Sequence, residues 1–210
     1  MGLDMYLMKA KRYKDTTAHE ISVIEDYLSW KEAKACGNEY ANCTLEKWCG
    51  VRYRDLPSRD KIAFYKKDGN GFKEVGYWRK ANQIHAWFVD IVQNGVDDCG
   101  YHDEVTREVL EDLLDTCKTV LASCKLIEGK VENGYTFVHG NRVYEYVDGL
   151  VVEDPSVAEQ LLPTQVGFFF GSYDYDEWYV EQIKDTIDII VNLLATTNFD
   201  EEMIYYVSSW

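Results

Sequence analysis

The segment 76–88, GYWRKANQIHAWF, carries side chains that could bind an anion. Its order of residues predicts a strand end that runs directly into a helix. Backbone N–H groups at a helix N-terminus favour anions, and Arg79 and Lys80 would add positive charge there. Asn82 and His85 are three residues apart and would share one face, so His85 could act as an acid or base. One hypothesis is therefore a phosphate or carboxylate site. The alternative is two solvated cations and a hydrogen-bonded helical histidine.

The segment 168–179, FFFGSYDYDEWY, is a second predicted strand that turns into a helix. Either Asp174 or Asp176 is expected to cap that helix, because carboxylates at a helix N-terminus are stabilised by the cap and the dipole. Asp174, Asp176 and Glu177 could instead bind a divalent cation. They lack the glycine and the terminal bidentate glutamate of an EF-hand loop. We therefore expect no metal and no other cofactor, with these three carboxylates as the alternative ligands.

Acidic side chains recur at offsets of three and four along two predicted helices, which places them on one face of each. They form the predicted partner-binding set: Glu104, Glu108, Glu111, Asp115, Asp174, Glu177, Glu181, Asp185 and Asp188. Such a stripe is commonly a solvated helix face. The functional interpretation is a surface that imitates a nucleic-acid backbone and occupies a basic groove on another protein.

The cysteines do not follow a metal-binding pattern. There are six of them and no C-x-x-C pair, so they are predicted to be reduced thiols. The zinc alternatives are irregularly spaced: Cys36, Cys43 and Cys49, or Cys99 with His102. The sequence also has no Walker A loop, dinucleotide fingerprint, H-E-x-x-H motif or G-x-S-x-G elbow. No catalytic residue is therefore predicted outside the alternative set of Arg79, Lys80 and His85.

The formal charge of −15 is unevenly distributed. Residues 1–96 contain 16 Lys and Arg and 13 Asp and Glu, whereas residues 97–210 contain 6 and 24. An acidic half repels nucleic-acid phosphates and attracts basic partners, so we expect no direct binding to DNA or RNA. No apolar run reaches the roughly 18 residues of a membrane span, and the start carries acid where a secretory signal is basic. The predicted location is the cytoplasm, away from membranes.

The elements that must position these residues mix helices and strands without βαβ alternation. The patterns predict one α+β domain over 1–210, with a mixed or antiparallel sheet packed against three to four longer helices. Predicted helices cover 17–36, 45–48, 79–93, 103–124, 154–162 and about 174–195. Predicted strands cover 3–8, 166–170 and 203–207, and predicted hairpins pair 61–66 with 72–77 and 135–138 with 142–147.

Three stretches of the chain carry a resemblance: the start MGLDMYL, the segment 76–88, and the segment 168–179 together with the final Ser208, Ser209 and Trp210. Together they resemble an uncharacterised family of small phage- and prophage-borne bacterial proteins. The resemblance implies an accessory gene of a bacteriophage or mobile element. It implies no catalytic residues. By analogy, small acidic proteins from that setting often inhibit a host defence or nucleic-acid enzyme.

Three function classes follow. The leading hypothesis is a non-enzymatic, anti-CRISPR-like inhibitor whose acidic helices occupy a basic groove of a bacterial nucleic-acid-binding or defence protein. The alternative is a small enzyme or binding module for a phosphorylated small molecule, in which Arg79 and Lys80 hold the anion and His85 transfers a proton. The third is an interaction protein that forms a homodimer through its Tyr and Trp surface, since the chain has 16 Tyr and 6 Trp.

Overall fold

Helices and strands alternate irregularly along the chain, and the α+β prediction is confirmed. The computed structural model describes residues 2–67, 71–99, 103–139, 141–167 and 170–210, without the side chain of Arg142. The elements of this part are β1 (Asp4–Lys11), α1 (Ala18–Ala35), α2 (Leu45–Cys49), α3 (Arg59–Lys66), β2 (Lys73–Arg79), α4 (Asn82–Ile91), α5 (Arg107–Ser123), β3 (Leu126–Val138), β4 (Asn141–Val152), α6 (Ser156–Leu161), α7 (Glu177–Thr196) and β5 (Glu202–Ser209). None of the described helices is both long and apolar enough to cross a lipid bilayer.

β1 is the centre of a three-stranded sheet with the order β2-β1-β5. Both neighbours run antiparallel to it; Leu7, for example, lies opposite Gly76 of β2 and Tyr206 of β5. Because side chains alternate along a strand, Met5 and Leu7 share one face of the sheet. The first and last strands of the described chain are therefore paired directly in this sheet.

Helices cover both faces of the sheet. The face that carries Met5, Leu7 and Tyr206 packs against α4, α5 and α7 in the largest core cluster. The opposite face contributes Met203 and Tyr205 to a second cluster with α1 and α3. The prediction of a mixed or antiparallel sheet against three to four longer helices is confirmed, and both described sheets, β2-β1-β5 and β3-β4, are antiparallel. The single-domain organisation stays a prediction.

The helix starts follow the capping signals of the sequence. The Thr17 hydroxyl accepts a hydrogen bond from the backbone N–H of Glu20, whose carboxylate accepts one from the backbone N–H of Thr17. This is the predicted capping box of α1. Asp176 caps α7 by accepting from the N–H of Tyr179 at 2.9 Å, so of the two candidate caps Asp176 is the one used. The starts of α1 and α7 are therefore fixed by local chemistry.

The predicted strand 61–66 is wrong, because this segment belongs to the helix α3. Its run of four apolar residues, 62–65, is compatible with a buried strand as well as with a helix. Packing decides between them: Lys61 and Tyr65, four residues apart, are both buried, and the Tyr65 hydroxyl donates to the carbonyl of Lys11. The partner segment does form a strand, β2. The intervening turn, at residues 68–70, lies outside the described residues.

The second predicted hairpin is correct in place but too short. β3 and β4 pair in antiparallel register from Leu126 opposite Val152 to Val138 opposite Asn141. The strand predicted at 166–170 is not formed at residues 166, 167 and 170, and residues 168 and 169 lie outside the described part. The Asn82 side chain forms hydrogen bonds with the backbone of Gln165 and Phe170, at positions where a strand partner would otherwise bind.

Candidate functional site

Two acidic ridges run along the outer faces of α5 and α7. The α5 ridge consists of Glu108, Glu111, Asp112 and Asp115, and the α7 ridge consists of Glu177, Glu181, Asp185 and Asp188. All eight residues are exposed, and each set lies on the side of its helix opposite to the buried residues. Because α5 and α7 bury their apolar faces in the same core cluster, both ridges point away from that core.

The ridges are only partly neutralised by cations of their own helices. Within 4 Å the ion pairs are Arg107 with Glu111 at 3.6 Å, Lys118 with Asp115 at 4.0 Å, and Lys184 with Glu181 at 2.8 Å. All three pairs are solvent-exposed, and exposed pairs of this kind contribute at most about 1 kcal/mol each. The ridges therefore keep a negative surplus of five charges, from eight carboxylates and three cations.

The spacing of the ridge charges approaches that of a nucleic acid. From Glu108 to Asp115 the α5 ridge extends over about 10 Å, which gives one carboxylate per roughly 3.5 Å of helix. One strand of B-DNA carries a phosphate about every 3.4 Å. From Glu177 to Asp188 the α7 ridge is sparser, at one carboxylate per roughly 5.5 Å. The α5 ridge therefore approaches the axial charge density of one DNA strand, whereas the α7 ridge falls below it.

Two members of the predicted partner-binding set lie off the ridges. Glu104 precedes α5 and forms an ion pair with Arg12, so its carboxylate is directed towards the N-terminal half. Asp174 is partly buried and accepts a hydrogen bond from the backbone N–H of Glu132 at 3.0 Å. The sequence pattern also passed over Asp112, which is exposed beside Glu111. The offset of three to Asp115 was the signal that could have included it.

The two strand-to-helix segments of the sequence meet in space. The Asn82 amide donates to the carbonyls of Phe170 and Ser172, at 3.2 and 2.9 Å, and its carbonyl accepts from the N–H of Gln165 at 2.8 Å. Asn82 is almost fully buried, so it ties the start of α4 to the loop before α7. All of these contacts hold the chain in place, and none leaves a polar group directed at a ligand.

Arg79, Lys80 and His85 do not converge on one site. Trp78 points into the core, so Arg79, the next residue of the strand, points to the other face, where it pairs with Asp4 at 3.1 Å. Lys80 has a positive φ of 59° and is exposed. His85 is 2% exposed and is turned into the core. Arg79 is therefore engaged with β1 and His85 with the core, so these side chains do not form one anion site.

His85 belongs to a buried chain of hydrogen bonds. Its Nε2 lies 3.2 Å from an Asp97 carboxylate oxygen, and its Nδ1 lies 2.7 Å from the Tyr206 hydroxyl. A carboxylate only accepts, so we assign the ring proton to Nε2, and the Tyr206 hydroxyl then donates to Nδ1. Burial lowers the pKa of His85, and Asp97 opposes that shift. Asp97 also accepts from the Trp210 indole at 3.2 Å.

The hydrogen-bonded side chains Asp97, His85 and Tyr206 follow the order carboxylate, histidine, hydroxyl that catalytic triads use. Tyr206, however, is 0% exposed, and burial raises the pKa of its phenol well above the ordinary value. A substrate could not reach that hydroxyl, so the arrangement anchors β5 and the loop after α4. Sequence reasoning missed both partners of His85, since Tyr206 is 121 residues away and no local pattern connects them.

The metal alternatives are not assembled in the part of the chain that the structure describes. No three His, Cys, Asp or Glu side chains there are placed to hold one ion. The Asp176 carboxylate accepts a hydrogen bond as the cap of α7, and the Asp174 carboxylate accepts one from the backbone of β3. Cys43 and Cys49 donate to carbonyls of their own turns, and Cys36 is exposed. His102, the suggested partner of Cys99, lies outside the described residues.

Comparison with known proteins adds no family to these observations. No protein-family model, curated protein or solved structure matches the chain. What the fold and the surface define is an antiparallel α+β protein with two exposed acidic helical ridges.

Proposed function

We propose that the acidic ridges of α5 and α7 bind a basic bacterial protein in the groove that normally holds nucleic acid. The observation that supports this proposal is the outward position of eight carboxylates on two helices of one core. A groove that binds phosphates is lined with Lys and Arg, and it attracts any rigid surface of similar negative charge. The chain would act as a stoichiometric inhibitor, with no chemistry of its own.

In its sharpest form, the proposal is an anti-CRISPR-like protein of a phage or mobile element that acts in the cytoplasm of the bacterial host. The support for that setting is the resemblance of the start, of segment 76–88 and of segment 168–179 to phage-borne proteins. The alternative, a module for a phosphorylated small molecule, has less support. Its three residues, Arg79, Lys80 and His85, are directed to different places.

Charge reversal on the α7 ridge tests the proposal. The chain is immobilised, exposed to a nuclease-treated bacterial lysate, and washed with duplex DNA, which should displace a partner held through its nucleic-acid groove. The captured protein is then purified and its affinity measured. The triple variant Glu177→Lys, Glu181→Lys, Asp185→Lys should bind about 100-fold more weakly, because each reversed charge removes roughly 1 kcal/mol of interaction.

The matched control changes the net charge equally but elsewhere. Glu32, Glu128 and Glu201 are exposed and lie outside both ridges, so Glu32→Lys, Glu128→Lys, Glu201→Lys should keep wild-type affinity. Equal losses in both triple variants would mean that net charge alone drives the binding. Wild-type affinity in the ridge variant, or a partner that duplex DNA fails to displace, would also contradict the proposal.

A further inference from the structure

The distal part of the β3–β4 hairpin exposes an unusual amount of apolar surface. We call residues 131–147 the hairpin arm; residue 140 in its turn is outside the described chain. Seven of its large apolar side chains are between 42% and 65% exposed: Tyr135, Phe137, Val138, Val143, Tyr144, Tyr146 and Val147. Single exposed apolar residues are common on proteins, whereas a cluster of this size is typical of an interaction site.

Apolar side chains occupy both faces of the arm. Tyr135 lies opposite Tyr144 in the ladder, with ring centroids 6.0 Å apart, and Tyr146 follows on the same face by alternation. Val143 and Val147 lie on the other face. An antiparallel sheet with one solvated face normally carries polar residues there. Neither face of the arm is therefore as polar as a face in contact with water is expected to be.

The backbone of the arm is also incompletely paired. At its base the hairpin is anchored: Val152 is buried in the main core and donates its N–H to the carbonyl of Tyr175 at 2.8 Å. Beyond the base, residues 143–148 have no backbone hydrogen bond to a described residue outside β3. A two-stranded ribbon is at best marginally stable in water and gains from a further strand or a covering face.

We propose that the hairpin arm is a homodimer interface, and that its occupant is the arm of a second copy of this chain. A two-fold axis places two identical strands antiparallel, so the unpaired arm can extend its own ladder without any other partner. Tyr144 and Tyr146 of each copy would then meet aromatic rings of the other, which favours association.

The surface that edge pairing would bury suits a weak dimer. Tyr144 and Tyr146 of β4, each about half exposed, offer roughly 200 Å² per copy. Even with Val143, Val147 and the strand edge, the total stays below the roughly 800 Å² per partner of a standard interface, so association should need a high protein concentration. The charge of −15 on each copy opposes association at low salt. Added salt should therefore strengthen the dimer, whereas it should weaken binding through the acidic ridges.

The test is sedimentation equilibrium of the whole chain from about 1 to about 200 µM, because dimer formation depends on protomer concentration. We expect a monomer–dimer equilibrium in this range that shifts towards dimer as salt is added. The variant Tyr144→Glu, Tyr146→Glu should weaken the dimer at least tenfold. The matched control Tyr40→Glu, Ile91→Glu removes two exposed apolar side chains elsewhere and should leave the equilibrium unchanged.

Hydrogen exchange provides a readout that needs no variant. Amides of residues 143–148 should exchange more slowly at the high protein concentration than at the low one, and those of α1 should not change. A wild-type chain that stays monomeric at about 200 µM would overturn the proposal and leave the arm to a different protein. So would a dimer that the arm variant forms as readily as the wild type. The ridge proposal is unaffected by either result, because its acids lie on α5 and α7.

Discussion

Replacement of Trp78 by alanine is expected to lower the free energy of unfolding by about 3–5 kcal/mol. Trp78 is 4% exposed and packs in the main core beside Phe88. Its indole N–H donates to the hydroxyl of Thr186 at 2.9 Å, which joins β2 to α7. Alanine would leave a large cavity there and remove the donor that Thr186 accepts from. The measurement is chemical denaturation monitored by far-UV circular dichroism.

The control for this substitution is Trp78→Phe, which loses the N–H donor but keeps most of the apolar volume. It should cost about 1–3 kcal/mol, the range for a buried group that loses its hydrogen-bond partner. A loss below about 1 kcal/mol in Trp78→Ala would show that the contact between β2 and α7 is not part of the main core. In that case β2 would not support α7, the helix that carries the α7 ridge.

Replacement of His85 by alanine is expected to cost about 3 kcal/mol at neutral pH, because it leaves Tyr206 and Asp97 without their buried partner. Exposed His19 is the control, and His19→Ala should cost at most about 1 kcal/mol, the range of an exposed interaction. Both values come from denaturant unfolding. Equal small effects of the two substitutions would contradict the hydrogen-bonded chain through His85.

The His85 contribution should also depend on pH. In the unfolded chain a histidine binds its proton near pH 6.5, and burial in the fold lowers the pKa of His85 below that value. Between these two pKa values the unfolded state therefore binds more protons than the folded state. The stability that His85 provides is consequently present above about pH 6.5, and it is lost as the pH falls through the pKa of the folded state. The stability difference between wild type and His85→Ala should shrink on acidification. A difference that stays constant or grows would contradict the neutral buried imidazole.

Other buried groups do not obscure this comparison. Burial raises the pKa of the Glu25, Asp26 and Asp176 carboxyls, so these groups become less unfavourable to the fold as the pH falls. Their contribution is common to wild type and variant, and it cancels in the difference.

The sequence predicts most of the helical framework because helices are local. The capping box at Thr17, the cap at Asp176 and the i, i+4 acid pattern of α7 each depend on neighbours within one or two turns. The acidic ridges could be anticipated for the same reason. Once a helix is assigned, its periodicity decides which side chains share a face.

Elements decided by tertiary contacts could not be predicted in this way. Segment 59–66 fits a strand or a helix equally until Tyr65 reaches the carbonyl of Lys11. β3 is exposed along most of its length and shows no alternation of polar and apolar residues. The partners of His85 come from a loop and from the last strand, which no spacing in the sequence connects to α4.

The central claim is that the ridge carboxylates bind their partner through their negative charge. Its most direct test is the affinity of the purified chain for the captured partner at about 50 mM and about 200 mM salt, where loss of several ion contacts weakens binding by at least tenfold. We predict that loss for the wild type and a much smaller one for the Glu177→Lys, Glu181→Lys, Asp185→Lys variant. An affinity that is unchanged across this range would contradict nucleic-acid mimicry by α5 and α7.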